Sequence, residues 1–153
     1  VLAGCLAPAP AAWAQAFGLG VKLPVQLQDP SLQELYNNVE VEGTWRIGNL
    51  LQLEANLLIP VAPLFVSLNA TLTLLELAYD ESQRALGFFV GAGVIYISVG
   101  PQKIVGFQGL AGVEWCLPGW PISLVFESGA KFFDLFIATY SGLFVSLGVR
   151  LHF

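Results

Sequence analysis

Between Glu54 and Glu76 the chain runs for 21 residues without a charge, which is long enough for a membrane-spanning helix. Its polar residues fall at the wrong spacing for one. From Leu64 to Leu74 the apolar residues occupy positions 64, 66, 68, 70, 72 and 74, and Ser67, Asn69, Thr71 and Thr73 lie between them. A period of two sorts the two kinds onto opposite faces of a strand, whereas a helix would scatter them around its axis. Pro60 and Pro63 stand at the head of the segment, where they end a preceding strand and form a turn.

The same period recurs along the chain. Ala16 to Leu23 alternates Phe17, Leu19, Val21 and Leu23 with Gly18, Gly20 and Lys22. Tyr36 to Ile47 sets Val39, Val41, Gly43, Trp45 and Ile47 against Glu40, Glu42, Thr44 and Arg46. Gly48-Asn49 is a turn signal, and Leu50 to Ile59 follows with Gln52, Glu54 and Asn56 on its polar face. The fourth strand, from Leu64, loses its phase at Leu74-Leu75, which predicts a bulge or an early end there and leaves the side of Glu76 undecided. Ala85 to Val99, Ile104 to Leu117, Ile122 to Phe133 and Tyr140 to Phe153 complete a set of eight, separated by Gly100-Pro101 and Pro118-Gly119 turns and a short final link.

Composition decides which solvent the apolar face meets. Of 153 residues 56% are hydrophobic and 11% charged, with a mean hydropathy of +0.70, against about 25% charged in soluble domains. This excludes a disordered polyampholyte, and a soluble barrel would show many more charges on its polar face. Six basic against eleven acidic residues, with a pI near 4.6, excludes a nucleic-acid partner. A closed barrel in lipid turns the apolar face outward and hides a few mutually compensating charges within. Eight strands of about 10 residues suit the smallest such barrel, whose interior its own side chains fill. The fold expected is therefore all-β, an eight-stranded antiparallel up-and-down transmembrane barrel with the lipid bilayer as its solvent. Trp45, Trp115, Trp120, Tyr36, Tyr96 and Tyr140 fall near strand ends, where an interfacial girdle belongs.

Residues 1–14 are uncharged, apolar and rich in small residues, and close on Ala12-Trp13-Ala14. That is a signal-peptidase pattern, so 1–14 reads as the remnant of a secretion signal and 15–153 as the barrel domain. Leu2-Ala3-Gly4-Cys5 offers the competing reading of a lipoprotein site with lipidation at Cys5. Either places the protein outside the cytoplasm. Cys5 and Cys116 are too far apart in sequence to suggest a disulfide framework, and Cys116 reads as an isolated thiol.

The terminal run Leu143-Phe144-Val145-Ser146-Leu147-Gly148-Val149-Arg150-Leu151-His152-Phe153 resembles the last strand of bacterial outer-membrane β-barrels, which end on Phe with apolar residues at alternate positions before it. Gly91-Ala92-Gly93-Val94-Ile95-Tyr96 and Gly109-Leu110-Ala111-Gly112-Val113-Glu114-Trp115 are similar to strands of the OmpX, OmpW and opacity-protein type. The resemblance implies residence in the outer membrane of a Gram-negative-type bacterium, and an assembly signal at Phe153, Leu151 and Val149 read by the barrel-assembly machinery. Members that bind host surfaces have long loops, whereas the sizeable connection here is Pro24 to Leu35.

On the presumed inner face stand Lys22, Glu40, Glu42, Arg46, Glu54, Glu114, Glu127, Lys131, Arg150 and His152, five acids against four permanent cations and one histidine. An unpaired ion in such a space costs several kcal/mol, so these residues read as a salt-bridge network filling the lumen. Inward Gly18, Gly20, Gly91, Gly93, Gly112, Gly129 and Gly148 are expected to make room for the charged side chains.

Barrel enzymes that act on lipid A use a histidine with a serine, and this chain has one histidine, His152, with Ser141 and Ser146 nearby in sequence. A structural histidine is the expectation. No metal-ligand spacing, P-loop or dinucleotide fingerprint occurs, so neither an enzyme nor a cofactor or metal protein is read. Two functions stand: a structural or surface-interaction barrel of the cell envelope with a filled lumen, or an OmpW-like, porin-like narrow channel for a small or apolar solute. A helical inner-membrane protein with spans at 55–75, 85–102 and 135–149 is the third reading.

Overall fold

The computed structural model describes residues 17–26, 39–48, 50–59, 64–80, 83–135 and 138–153. They form eight strands: β1 (Phe17–Gln26), β2 (Val39–Ile47), β3 (Leu51–Ile59), β4 (Leu64–Asp80), β5 (Gln83–Val99), β6 (Gln102–Cys116), β7 (Ile122–Leu135) and β8 (Ala138–His152). Each is antiparallel to the next and β1 pairs with β8, closing the barrel. The helical reading is overturned. Its three segments fall largely on β3 and β4, on β5, and on β8, and no helix among the described residues is long and apolar enough to cross a membrane.

Positive φ marks three turns, at Gly48 (66°), Gly100 (57°) and Gly119 (75°). Each joins strands at a hairpin end, where a residue without Cβ enters the left-handed region at no steric cost. Register around the wall runs from Gly18 through Thr44, Glu54, Asn69, Gly93, Gln108 and Lys131 to Gly142. The β8 partner of Gly18 is instead His152, ten residues further along. This stagger tilts the strands and sets the bore.

One strand end differs from the sequence expectation. Pro24 to Gln26 was expected to begin the long loop but continues β1, paired with Ser146 to Phe144. The β1–β2 pairing stops at Lys22 and Glu40, so Pro24 sits where β1 has one described neighbour, the edge setting in which proline is tolerated. The rest of that loop, the proposed signal segment 1–14 and Cys5 lie outside the described residues.

Of the two outcomes expected at Leu74-Leu75, a bulge or an early end, β4 shows the first and runs on to Asp80. Register shifts fall between Thr73 and Leu75, Leu77 and Ala78, and Ala78 and Asp80. Each shift breaks the alternation while the ladder to β5 continues, which is the behaviour of a bulge.

Candidate functional site

Strand parity points all ten charged residues of the sequence reading into the lumen. Lys22 comes from β1, Glu40, Glu42 and Arg46 from β2, Glu54 from β3, Glu114 from β6, Glu127 and Lys131 from β7, and Arg150 and His152 from β8. Arg46, Glu114, Arg150 and His152 lie within a few residues of strand ends at the mouth that carries the chain's two described ends, Phe17 and Phe153.

Two cations organise the cluster. Arg150 is fully buried and grips Glu42 with two parallel bonds, Nε to Oε1 at 2.8 Å and Nη2 to Oε2 at 3.0 Å. It also donates through Nη1 to Glu114 at 3.0 Å and through Nη2 to Glu54 at 3.1 Å. Lys22 Nζ lies 2.8 Å from Glu42, 2.7 Å from Glu127 and 3.4 Å from Glu54. Glu42 and Glu54 are thus shared by both cations. Arg46 Nη2 takes the second oxygen of Glu114 at 3.2 Å. Charge-assisted and bidentate bonds of this kind are the strong ones, and together they offset the desolvation of groups that are at most 3% exposed (Lys22, Glu42, Glu54, Glu114, Glu127, Arg150).

Lys131 and Glu40 form a separate, looser pair at 3.8 Å. The Lys131 ammonium lies between two rings, 4.9 Å from the centre of Phe65 and 4.7 Å from that of Phe144, a cation–π setting. Beyond it, toward the other mouth, Leu58, Phe65, Ile95 and Phe133 pack together, with Ile97 and Ile104 against them. A second apolar cluster, Phe89, Leu110, Val125 and Phe144, fills one side of the bore.

The sequence reading passed over these eight apolar residues, although each occupies an inward parity position. The available signal was the glycine beside Phe89, Phe133 and Phe144. A Cβ at Gly112 would strike the Phe89 ring, and one at Gly129 the Phe144 ring. The expectation that all seven inward glycines make room for charges is therefore corrected. Gly18, Gly20 and Gly148 lie against Arg150, Glu42 and Lys22; Gly91 and Gly93 lie against Thr71 and Asn69; Gly112 and Gly129 accommodate aromatic rings.

His152 meets Ser123, not the Ser141 or Ser146 that stand near it in sequence. Ser123 Oγ is 2.9 Å from His152 Nε2 and donates to Glu114 Oε1 at 2.8 Å, and the same oxygen lies 3.3 Å from His152 Nε2. In a nucleophilic triad the acid holds the far nitrogen of the imidazole. Here hydroxyl and imidazole converge on one carboxylate oxygen, and Ser123 is fully buried. Gln52 and Ser146 add hydrogen bonds to Glu54 at 2.9 Å and Glu127 at 3.2 Å. Among the described residues no group of His, Cys, Asp and Glu is arranged to hold a metal ion.

Outside, the wall is apolar. Phe17, Leu19, Leu68, Phe107, Phe126 and Leu147 all stand exposed, by 46 to 64%. An aqueous protein does not cover itself in this way, and a polar bore inside an apolar wall is the inverse of a soluble barrel. No known family profile matches the sequence, and no curated protein does. Among solved structures, Neisserial surface protein A is similar, with a TM-score of 0.54 at 16% identity, covering 90% of this chain and 97% of its own. The fold is that of a small outer-membrane β-barrel.

The barrel carries aromatic residues at the mouth with the chain ends. Phe17 stacks on Trp45 with ring centres 6.2 Å apart, and Trp115 Nε1 donates to the Tyr79 hydroxyl at 2.6 Å. Trp120 is exposed in the β6–β7 turn, and Tyr96 is half-buried towards the far end of β5. Tyr36 and the Tyr140 side chain lie outside what is described. Val149, Leu151 and Phe153 all point outward from the closing strand. Phe153 exchanges two backbone hydrogen bonds with Phe17, at 3.0 and 3.3 Å.

Proposed function

We propose that the protein is an integral outer-membrane barrel of a Gram-negative-type envelope with a structural or surface-interaction role and a sealed lumen. One observation carries this reading: Arg150 and Lys22, from the last and first strands, bind the carboxylates of Glu42, Glu54, Glu114 and Glu127 at the centre of the bore. Apolar side chains fill the bore beyond them. Ion passage would require these contacts to part, and leaving a buried charge unpaired costs several kcal/mol.

Export led by residues 1–14 and delivery to the assembly machinery through Val149, Leu151 and Phe153 belong to the same reading. So does the absence of catalysis, since Ser123 is committed to Glu114. A porin-like channel for a small solute is the competing function.

Planar-bilayer recording separates the two. The sealed barrel gives no reproducible unitary conductance, and discrete, reproducible steps from the purified protein would overturn the proposal.

A further inference from the structure

Two buried acceptors in the bore have no donor among the described residues, Glu40 Oε1 and Asn56 Oδ1. Their residues are 7% and 3% exposed, and a buried oxygen left in that state is costly enough that native interiors hold few of them. Both lie on the inner face of neighbouring strands. Glu40 pairs with Leu58 and Glu42 with Asn56, so Glu40 and Asn56 are diagonal neighbours, a relation that long side chains span.

The contacts around the two oxygens close into a ring. Asn56 Nδ2 donates to Ser67 Oγ on β4 at 3.1 Å, which turns Oδ1 away from β4 and toward the β2 side of its strand. Glu40 Oε1 faces the Lys131 ammonium at 3.8 Å, beyond hydrogen-bond length. That ammonium lies over the ring of Phe65, the next inward residue to Ser67 on β4. Glu40, Lys131, Phe65, Ser67 and Asn56 therefore enclose a polar space across the bore. The apolar cluster of Leu58, Phe65, Ile95 and Phe133 bounds it on one side, and Glu42, the shared acid of the ion cluster, on the other.

We propose that this space is a binding site for a single captive water molecule, which accepts a hydrogen bond from Lys131 and donates one each to Glu40 Oε1 and Asn56 Oδ1. Three partners are the usual number for a buried water, and a polar contact held apart at this distance is where a bridging water belongs. The inventory selects water over other small ligands. Two unmet acceptors call for two donors in one ligand, and the ammonium beside them supplies a donor to its oxygen. A monovalent cation meets Lys131 as a like charge, an anion meets Glu40 as one, and an alcohol brings a single donor. The captivity of the water rests on the sealed-lumen reading, because the apolar cluster and the ion cluster must both stay shut to slow its exchange with solvent.

The test is NMR on the isotope-labelled barrel folded in detergent micelles, with solvent water as the probe and the Asn56 side-chain amide protons as reporters. The expected result is a nuclear Overhauser effect from water to those protons, with the sign given by a long-held water. It should persist in Ser67→Ala, where no neighbouring hydroxyl relays exchange. It should disappear in the double variant Glu40→Met, Lys131→Met, which still shifts on a gel only after boiling.

Absence of the effect from the parent barrel or from Ser67→Ala, or its survival in the double variant, overturns the proposal. So does replacement of the water signal by isotope-labelled ammonium, which identifies a cation site. Contacts that place the Asn56 amide protons against Glu40 overturn it too, since Glu40 then has its donor from the chain itself. Planar-bilayer recording of the same preparation keeps the two readings apart. A silent barrel without the effect overturns the captive water alone, and a conducting barrel without it overturns the sealed lumen as well.

Discussion

Gly20 lies directly beneath the carboxylate of Glu42. A methyl group at Gly20 would come within 2.9 Å of Glu42 Cγ and 2.8 Å of the Val149 carbonyl oxygen. Because Glu42 is the residue that Arg150 and Lys22 share, pushing it aside disturbs both cations at once. Gly20→Ala should cost about 1 to 3 kcal/mol, as overpacking does. The check is the temperature at which the folded gel band converts to the unfolded one. Gly109→Ala, where nothing lies within 4 Å of the added carbon, should leave that temperature unchanged.

Arg150→Met removes a side chain that contacts Glu42, Glu54 and Glu114 together. Breaking a buried ion network from one side costs about 3 to 5 kcal/mol. Urea unfolding in detergent should show that loss. Adding Glu42→Gln and Glu114→Gln should restore much of it, because the stranded charges go with the cation. A triple variant no more stable than Arg150→Met alone would mean that the arginine acts through packing.

Leu68→Arg and Leu77→Arg are the same substitution on the same strand, at positions 60% and 48% exposed. Leu68 lies within the band where β3, β4 and β5 are all paired, and Leu77 lies past the end of β3. Arginine near the middle of a bilayer costs a barrel about 2 to 4 kcal/mol and little near or beyond the interface. Folding into vesicles should therefore be impaired for Leu68→Arg and close to normal for Leu77→Arg. Equal effects would place the end of β4 in the hydrocarbon.

Phe65→Ala with Phe133→Ala opens the apolar plug while leaving the ion cluster in place. Each truncation should cost about 3 to 5 kcal/mol, yet the double variant should still give no unitary conductance in a planar bilayer. Conductance in that variant would make the plug, and not the ions, the seal.

The period-two pattern made the eight strands and the ten inward charges readable, because one side facing lipid and the other facing the bore forces strict alternation. Two features escaped it for physical reasons. The slip at Leu74-Leu75 is legible as a bulge or an early end, but because bulges add residues without ending the strand, parity alone does not say which, and the run to Asp80 goes unread. Phe65, Phe89, Phe133 and Phe144 break the polar sequence of the inner face, and a rule that expects polar residues inside treats them as exceptions. Their meaning lies in pairs with neighbouring strands, such as Phe144 with Gly129, which no single strand displays. Ser123 was missed for the same reason: its place beside His152 and Glu114 depends on three strands meeting.

The route by which Arg150 reaches its partners bears on how the chain acquires its shape. Glu42, Glu54 and Glu114 arise on β2, β3 and β6, and the guanidinium that joins them is on β8, the closing strand. A sheet of the first seven strands holds Glu42 and Glu54 with Lys22, and Glu114 with Arg46, but lacks the cation that ties all three together, and the Phe17–Phe153 seam that shuts the wall forms from the same final strand. Completion of the ion cluster and closure of the wall therefore depend on the same strand, through contacts between distant parts of the sequence, the kind that form slowly. A nascent barrel stalled before its last strand would remain open and short of its most shared cation, so that an unfinished wall carries its own mark of incompleteness.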